Sequence, residues 1–304
     1  MMSESSELTR RTGIIAVDLG GTRLRVAIFS ADGEMLHKTV IPTPRDDPSA
    51  LVRAIKDTAG NATVGIEGAV VGVPGPIVYS TGEAIRLPNL PGWEPHVSAN
   101  KLAVQLRLPV HLANDADLAA LGEHRYGAGR GVSDMLYMTS STGVGGGVIV
   151  NGRLLHGKKS LAEVGHMVIE QADGGTVEGL GSGTALARLA GADGASVQAR
   201  AEAGDERALA FFGEVAGAFA TGVFNAVHCF MPERVVIGGG VSRAGELLLA
   251  PVRERLARCP GCASSGVAVV LAGCGDDVGL LGAYAFWQDA MAGPERAEHQ
   301  PATP

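Results

Sequence analysis

A unit of strand, glycine-rich turn, strand, Asx-Gly turn and strand occurs twice in this chain of 304 residues, and no other feature limits the fold as much. The first copy starts with Gly13-Ile-Ile-Ala-Val-Asp18, an apolar run that ends in a carboxylate and reads as a buried strand. Leu19-Gly20-Gly21-Thr22 turns it into Arg25-Val-Ala-Ile-Phe29, and Ala31-Asp32-Gly33 turns again into a strand over Glu34 to Val40. In the second copy Met135–Thr139 leads into Ser140-Ser-Thr-Gly-Val-Gly-Gly-Gly147, Val148-Ile-Val150 follows, and Asn151-Gly152 returns the chain along Arg153–Leu155. Duplication at this spacing predicts two similar domains, because solenoid repeats are far shorter. The length suits two cores.

Between and after the copies, helical stretches at Ser49–Thr58, Thr184–Ala190 and Glu206–Phe230 alternate with strands at Ala69–Val73 and Val235–Ile237. A proline-rich loop runs from Pro74 to Trp93. That alternation argues for an α/β class.

The glycine loops carry chemistry as well as turns. In Asp18-Leu-Gly-Gly-Thr22 the glycines Gly20 and Gly21 let main-chain N–H groups approach a phosphate, Thr22 adds a hydroxyl, and Asp18 is placed to hold Mg²⁺ through water. Ser141-Thr142-Gly143 would supply the matching cradle, so that two hairpin turns clamp the triphosphate of ATP between two domains. One such loop alone reads more readily as a tight turn; two in matching contexts point to a nucleotide. A dinucleotide fingerprint must lie between a strand and a helix, whereas both loops are followed by strands. Gly238-Gly-Gly-Val-Ser-Arg243 follows a strand and precedes a helical stretch, but Arg243 stands where the fingerprint needs its last glycine. There is no G-x-x-x-x-G-K-[ST] sequence either. Gly238, Gly239 and Gly240 still offer a flat surface for an adenosine.

Ala113-Asn114-Asp115-Ala-Asp117 follows a short strand and precedes the helical run Leu118–Tyr126, so Asn114 or Asp115 caps that helix. The other is left for chemistry: Asp115 as acceptor of a sugar hydroxyl's proton, Asn114 as a hydrogen-bonding group beside it. An ordinary carboxylate suffices, since phosphoryl transfer runs through a loose transition state. Glu163 and His166 stand three residues apart and can address one polyhydroxyl ligand, although Glu-x-x-His alone is as compatible with an exposed loop.

Composition narrows the partners. A net charge of −7 and the lack of a basic tract speak against nucleic acid. No uninterrupted apolar run reaches the roughly 20 residues of a membrane span, and Met1–Thr12 has no hydrophobic signal core, so a cytoplasmic location is expected. Four cysteines, Cys229, Cys259, Cys262 and Cys274, suit a reducing compartment. Cys259 and Cys262 read as incidental thiols near a turn, with only Cys274 near enough to join them on a metal.

Taken together these stretches resemble the ROK family of sugar kinases and regulators. The matching segments are Asp18–Thr22, Val73-Pro-Gly75-Pro76, Asn89-Leu-Pro-Gly-Trp93, Asn114-Asp115-Ala, Ser141–Gly147, Glu163-Val-Gly-His-Met167, Gly238-Gly-Gly-Val241 and Gly275-Asp-Asp277. The resemblance covers Gly13 to Trp287, with Asn114–Gly131 and Ser141–Gly157 closest to the bacterial glucokinase branch. It implies an actin-like (ribonuclease H-like) fold with the sugar in an interdomain cleft, and a homodimer or larger homo-oligomer. It further implies Asp115 as base and Gly75, Asn89, Asn114, Glu163, His166 and Glu178 as sugar-binding residues. On this template 13–113 form one domain, onto which a helix over 279–292 packs back, and 114–278 form the other, with loose tails at 1–12 and 293–304. The chain departs from the family at one place: the C-x-C-G-x-x-G-C loop that binds structural zinc is replaced by Glu170-Gln-Ala-Asp-Gly-Gly-Thr176, without cysteine. No zinc site is expected.

The function implied is an ATP-dependent hexokinase acting on the 6-hydroxyl, glucose first. The alternatives are N-acetylmannosamine, N-acetylglucosamine, fructose or mannose as acceptor, and polyphosphate as donor, since Asn-Asp-Ala-Asp also resembles polyphosphate-using relatives. A sugar-sensing regulator would need a DNA-reading module, and only about a dozen residues precede the first strand here. A binding protein without catalysis fits poorly with Asp115, Asp18 and both loops kept.

Overall fold

The computed structural model describes residues 12–160, 163–258 and 266–292. The loose tails expected at 1–12 and 293–304 fall outside these residues, apart from Thr12, which opens the first strand. Cys259 and Cys262 also fall outside them. The chain divides into two compact units, one formed by the residues up to Leu118 with those from Asp277 onward, the other by Ala119–Asp276.

In the first unit, strands β1 (Thr12–Leu19), β2 (Arg23–Ser30) and β3 (Met35–Pro42) form an antiparallel meander. Helix α1 (Ser49–Ala59) leads to β4 (Gly65–Val73), which runs parallel to β1. The short ribbon β5 (Ile77–Val78) and β6 (Glu83–Ala84) and helix α2 (Ala99–Leu106) precede β7 (Val110–Asn114), parallel to β4. The sheet order is β3-β2-β1-β4-β7. Helix α3 (Asp115–Tyr126) follows β7 without a break, and its residues from Ala119 onward belong to the second unit.

The second unit repeats the plan. Strands β8 (Met135–Ser140), β9 (Val144–Val150) and β10 (Arg153–Leu154) form the meander. A 3₁₀ turn at Val164–His166 precedes a small hairpin, β11 (Val168–Glu170) and β12 (Gly175–Thr176). Helices α4 (Val177–Gly181), α5 (Gly183–Ala190), α6 (Gly194–Glu202) and α7 (Glu206–Phe230) come next. Strand β13 (Arg234–Gly238), helix α8 (Glu246–Ala257) and strand β14 (Ala268–Leu271) complete the unit. The order β10-β9-β8-β13-β14 matches the first sheet strand for strand, with an antiparallel meander followed by two parallel strands. This duplicated α/β arrangement is that of the actin-like ATPases.

Burial explains the strands. Ile14, Ile15, Ala16 and Val17 are 0–2% exposed because β1 is a central strand covered on both faces, which removes polar–apolar alternation. Helix α9 (Val278–Ala292) packs on β1 and β4 of the first unit. Tyr284 of α9 stacks on Phe29, with ring centroids 5.1 Å apart, and its hydroxyl donates to the Ala31 carbonyl at 2.8 Å. Sequence reasoning located α7 to the residue but missed its length of apolar character. At 25 residues it is long and apolar enough to cross a membrane by length and composition. Its Phe212, Val215, Phe219, Val223 and Val227 recur at helical spacing, buried in the second unit's core, as in a core helix of a globular domain.

Candidate active site

The first glycine loop is a tight β1–β2 turn: the Gly20 N–H donates to the Arg23 carbonyl at 3.0 Å. It is braced from outside, since Thr43 Oγ1 donates to the Gly20 carbonyl at 2.6 Å and Arg45 Nε to the Gly21 carbonyl at 2.9 Å. Thr22 is exposed at its tip. Asp18 pairs across the strands with Arg25, whose Nη1 donates to Oδ2 at 2.9 Å. Burial raises the pKa of Asp18, and the Arg25 charge opposes that rise.

Asn89 lies exposed in the loop after β6, which is held by the buried Leu87, Leu90 and Trp93. Trp93 Nε1 donates to the Arg45 carbonyl at 2.7 Å, tying this loop to the residue that braces Gly21. Glu94 closes the loop by accepting from the Leu87 and Gly92 N–H groups, both at 3.1 Å. Gly21 packs directly on Asn89: a Cβ at Gly21 would stand 2.9 Å from the Asn89 Cβ. The first glycine loop, expected to bind phosphate, therefore touches a residue expected to bind sugar.

At the end of β7 the geometry decides between Asn114 and Asp115. Asn114 Oδ1 accepts from the Ala116 N–H at 2.9 Å and the Asp117 N–H at 3.1 Å, so Asn114 is the helix cap. Its Nδ2 donates to the Gly75 carbonyl at 3.0 Å. Gly75 is held at φ +100, and a Cβ there would meet the Arg86 carbonyl at 2.4 Å. Asp115 takes the first helical position, half-exposed, with Oδ1 accepting from the Ala116 N–H at 2.9 Å. Beneath them Asp117 is fully buried and accepts from the Tyr79 hydroxyl at 2.7 Å. Sequence reasoning missed Tyr79, whose contact with Asp117 joins residues 38 apart.

The second loop mirrors the first. The Ser141 N–H donates to the Gly143 carbonyl at 2.8 Å, closing the turn, and Thr184 Oγ1 donates to the Thr142 carbonyl at 2.6 Å. The Val144 N–H donates to Glu178 Oε2 at 2.9 Å, and a Cβ at Gly143 would lie 2.2 Å from that oxygen. The second glycine loop, also expected to bind phosphate, thus touches a residue expected to bind sugar as well. The carbonyl of Val144 presses on Gly165, where a Cβ would stand only 2.1 Å from it. Gly165 lies in the turn between Glu163 and His166, which are 3.8 Å apart and both solvent-accessible. Partial burial raises the Glu163 pKa; the His166 charge opposes the rise and the Glu178 charge adds to it.

Gly238 ends β13 and packs on the Tyr137 hydroxyl, Gly239 has φ +89, and nothing lies within 4 Å of where a Gly240 Cβ would point. The element after them is a 3₁₀ turn over Val241–Ala244, not the regular helix expected; α8 begins only at Glu246. Gly245, at φ +57, separates the two.

A structural zinc does not fit. The segment between Glu170 and Thr176 offers no thiolate, and among the described residues no group of three or more His, Cys, Asp and Glu side chains could hold a metal ion. Burial and the neighbouring Glu123 carboxylate push the Cys274 thiol up to about 12, which keeps it protonated. Mg²⁺ makes a smaller demand, since it takes one or two protein carboxylates and fills its shell with water and phosphate. Asp18, beside the first loop, is one such carboxylate, with Oδ2 held by Arg25.

A family model for the ROK family matches residues 14–290. The chain belongs to the ROK family. It is 35% identical to a glucokinase of Thermotoga maritima over 92% of its own length and 98% of that protein. It is 34% identical to an N-acetylmannosamine kinase of Shigella flexneri, over 89% and 96% of the two chains. Among solved structures, a ROK family glucokinase from Streptomyces griseus in complex with glucose and AMPPNP superposes with a TM-score of 0.74 at 28% identity. That match covers 90% of this chain and 98% of the other. These relatives are sugar phosphotransferases, and this ROK protein is an enzyme of that class.

Proposed function

We propose that this ROK protein transfers the γ-phosphoryl group of ATP to the 6-hydroxyl of glucose, with Asp115 as general base. One observation carries the reading: each unit packs the glycine of its phosphate loop onto a candidate sugar ligand, Gly21 on Asn89 and Gly143 on Glu178. Direct transfer requires donor and acceptor side by side, and little covalent chemistry is left for the protein beyond holding them so. Asn89, Asn114, Glu163, His166 and Glu178 hydrogen-bond the hydroxyls, while the N–H groups of Gly21, Thr22, Thr142 and Gly143 hold the phosphates, that of Gly20 being taken by the Arg23 carbonyl, and Gly238–Gly240 receive the adenosine. Asp115 accepts the hydroxyl proton as the sugar oxygen bonds to the γ-phosphorus; the bond from that phosphorus to the β,γ-bridging oxygen breaks and ADP leaves. Asp18 would hold Mg²⁺, which when bound neutralises charge on the phosphates.

On this reading the enzyme acts in the cytoplasm, which its few cysteines suit, and as a homodimer, which the family resemblance implies. The similarity to an N-acetylmannosamine kinase supports a second reading in which the acceptor is an N-acetyl sugar. Phosphorus NMR of a reaction of ATP, Mg²⁺, glucose and the full chain should show a sugar phosphate at the 6-position. ADP formation with no phosphate on any hexose would overturn the reading.

A further inference from the structure

By the family resemblance Glu178 follows a segment that would bind zinc, yet here Glu170–Thr176 has no cysteine to hold that metal. The geometry of the second unit points to what replaces it. Glu178 is the second residue of α4, a helix of five residues, too short to be rigid by itself. Val177 before it is fully buried against α7, at Gly222. A Cβ on Gly222 would stand 2.5 Å and 2.8 Å from the two Val177 methyl carbons. One turn earlier on α7, the Phe219 main chain receives Gly181 in the same way, at 2.9 Å. On the other side the β11–β12 hairpin closes the loop, with Val168 opposite Thr176 and Glu170 opposite Gly175. The Val177 N–H donates to the Met167 carbonyl at 3.0 Å, and Thr176 Oγ1 accepts from the Gly179 N–H at 3.0 Å. Arg188 Nη2 donates to the Gly179 carbonyl at 2.7 Å.

We propose that Gly222 is a positioning residue for Glu178: the bare α7 backbone seats Val177, and this seat with the β11–β12 hairpin does the work of the missing metal loop. The inference deepens the proposed function and rests on Glu178 binding sugar. A methyl group on Gly222 meets a β-branched side chain that is buried and stiff, so relief must come from α4 moving as a whole. Moving α4 carries Glu178 off the Val144 N–H and away from the sugar.

The test measures glucose binding by calorimetry without nucleotide, together with steady-state kinetics, on full-length Gly222→Ala, Val177→Ala, the double variant and Gly222→Ala in a Glu178→Gln background. Gly222→Ala should weaken glucose binding about tenfold or more and leave the KM for ATP within about twofold. The double variant should regain most of the lost affinity, because Val177→Ala clears the space the new methyl needs. In the Glu178→Gln background the Gly222→Ala effect should largely disappear, as expected when both changes act through one contact. Zinc-selective chelation of the wild-type protein should leave glucose affinity unchanged. Unchanged affinity in Gly222→Ala, no recovery in the double variant, an undiminished effect in the Glu178→Gln background or a loss on chelation would each overturn the proposal. Should Gly222→Ala not fold, the double variant and Val177→Ala decide it: the first should fold and bind, and the second should weaken glucose binding severalfold. Wild-type protein that binds no hexose would overturn the proposed function and this inference together, whereas normal binding with an inert Gly222→Ala overturns only the inference.

Discussion

Asn114 caps α3 and its neighbour Asp115 is the proposed base, a division that makes a sharp mutational test. Because Asn114 carries the cap, Asp115→Asn should leave thermal melting nearly unchanged. Turnover should fall by about 10²–10⁴, or ~3–5 kcal/mol of barrier, as for loss of a general base. Steady-state kinetics beside a melting curve check this, and near-normal turnover would remove Asp115 from the chemistry. Glu163 gives a second test, in pH. Its pKa is raised in the native state by partial burial, so its ionisation costs the folded protein free energy, and the favourable contribution present at acid pH is lost as pH rises through the raised value. Glu163→Gln should therefore raise Tm slightly at pH 8 and not at pH 4, while weakening sugar binding; a Tm gain confined to acid pH would contradict the assigned shift. That one of the adjacent amide and carboxylate ahead of an apolar helical run caps the helix was legible in the sequence. Which of the two residues caps was not, because the choice depends on backbone torsions. Glu94 and the buried Glu123 were not legible either: Glu123 accepts from the Ala128, Gly273 and Cys274 N–H groups, partners that no spacing rule links.

At the scale of elements, each glycine loop packs on a candidate sugar ligand, Gly21 on Asn89 and Gly143 on Glu178, as the proposed transfer requires. Gly143→Ala should displace Glu178 and lower kcat/KM for glucose by about 10²-fold, since an ångström of misplacement at a reacting site costs that much. Rates for glucose and ATP over the variant check it; an unchanged kcat/KM would mean the 2.2 Å approach to Glu178 is not used. The loops were readable as turns because glycine runs between two apolar strands leave little else to form there, and it was their occurrence twice in matching contexts that pointed to a nucleotide. The β11–β12 hairpin was not, as strands of three and two residues are too short to show a period. Helices α2 and α6 were missed for a related reason: α2 has only eight residues and α6 has little segregation of polar and apolar faces; the helix expected after the third glycine run is present as α8, starting at Glu246.

For the molecule as a whole, duplication was the legible feature and it reappears as two sheets of identical order. The return of α9 to the first unit was expected from family resemblance rather than from its own residues; it is anchored there through Tyr284 and Phe29. Sugar preference is the least legible property, because it depends on the shape around a few hydroxyl-binding groups and not on any motif. It is also where the account is most exposed. The deciding measurement is kcat/KM of the full chain with ATP over glucose, fructose, mannose, N-acetylmannosamine and N-acetylglucosamine. Glucose should exceed fructose and both N-acetyl sugars; a tenfold preference for any of those three would contradict the glucose assignment, and no transfer to any hexose would contradict the account as a whole.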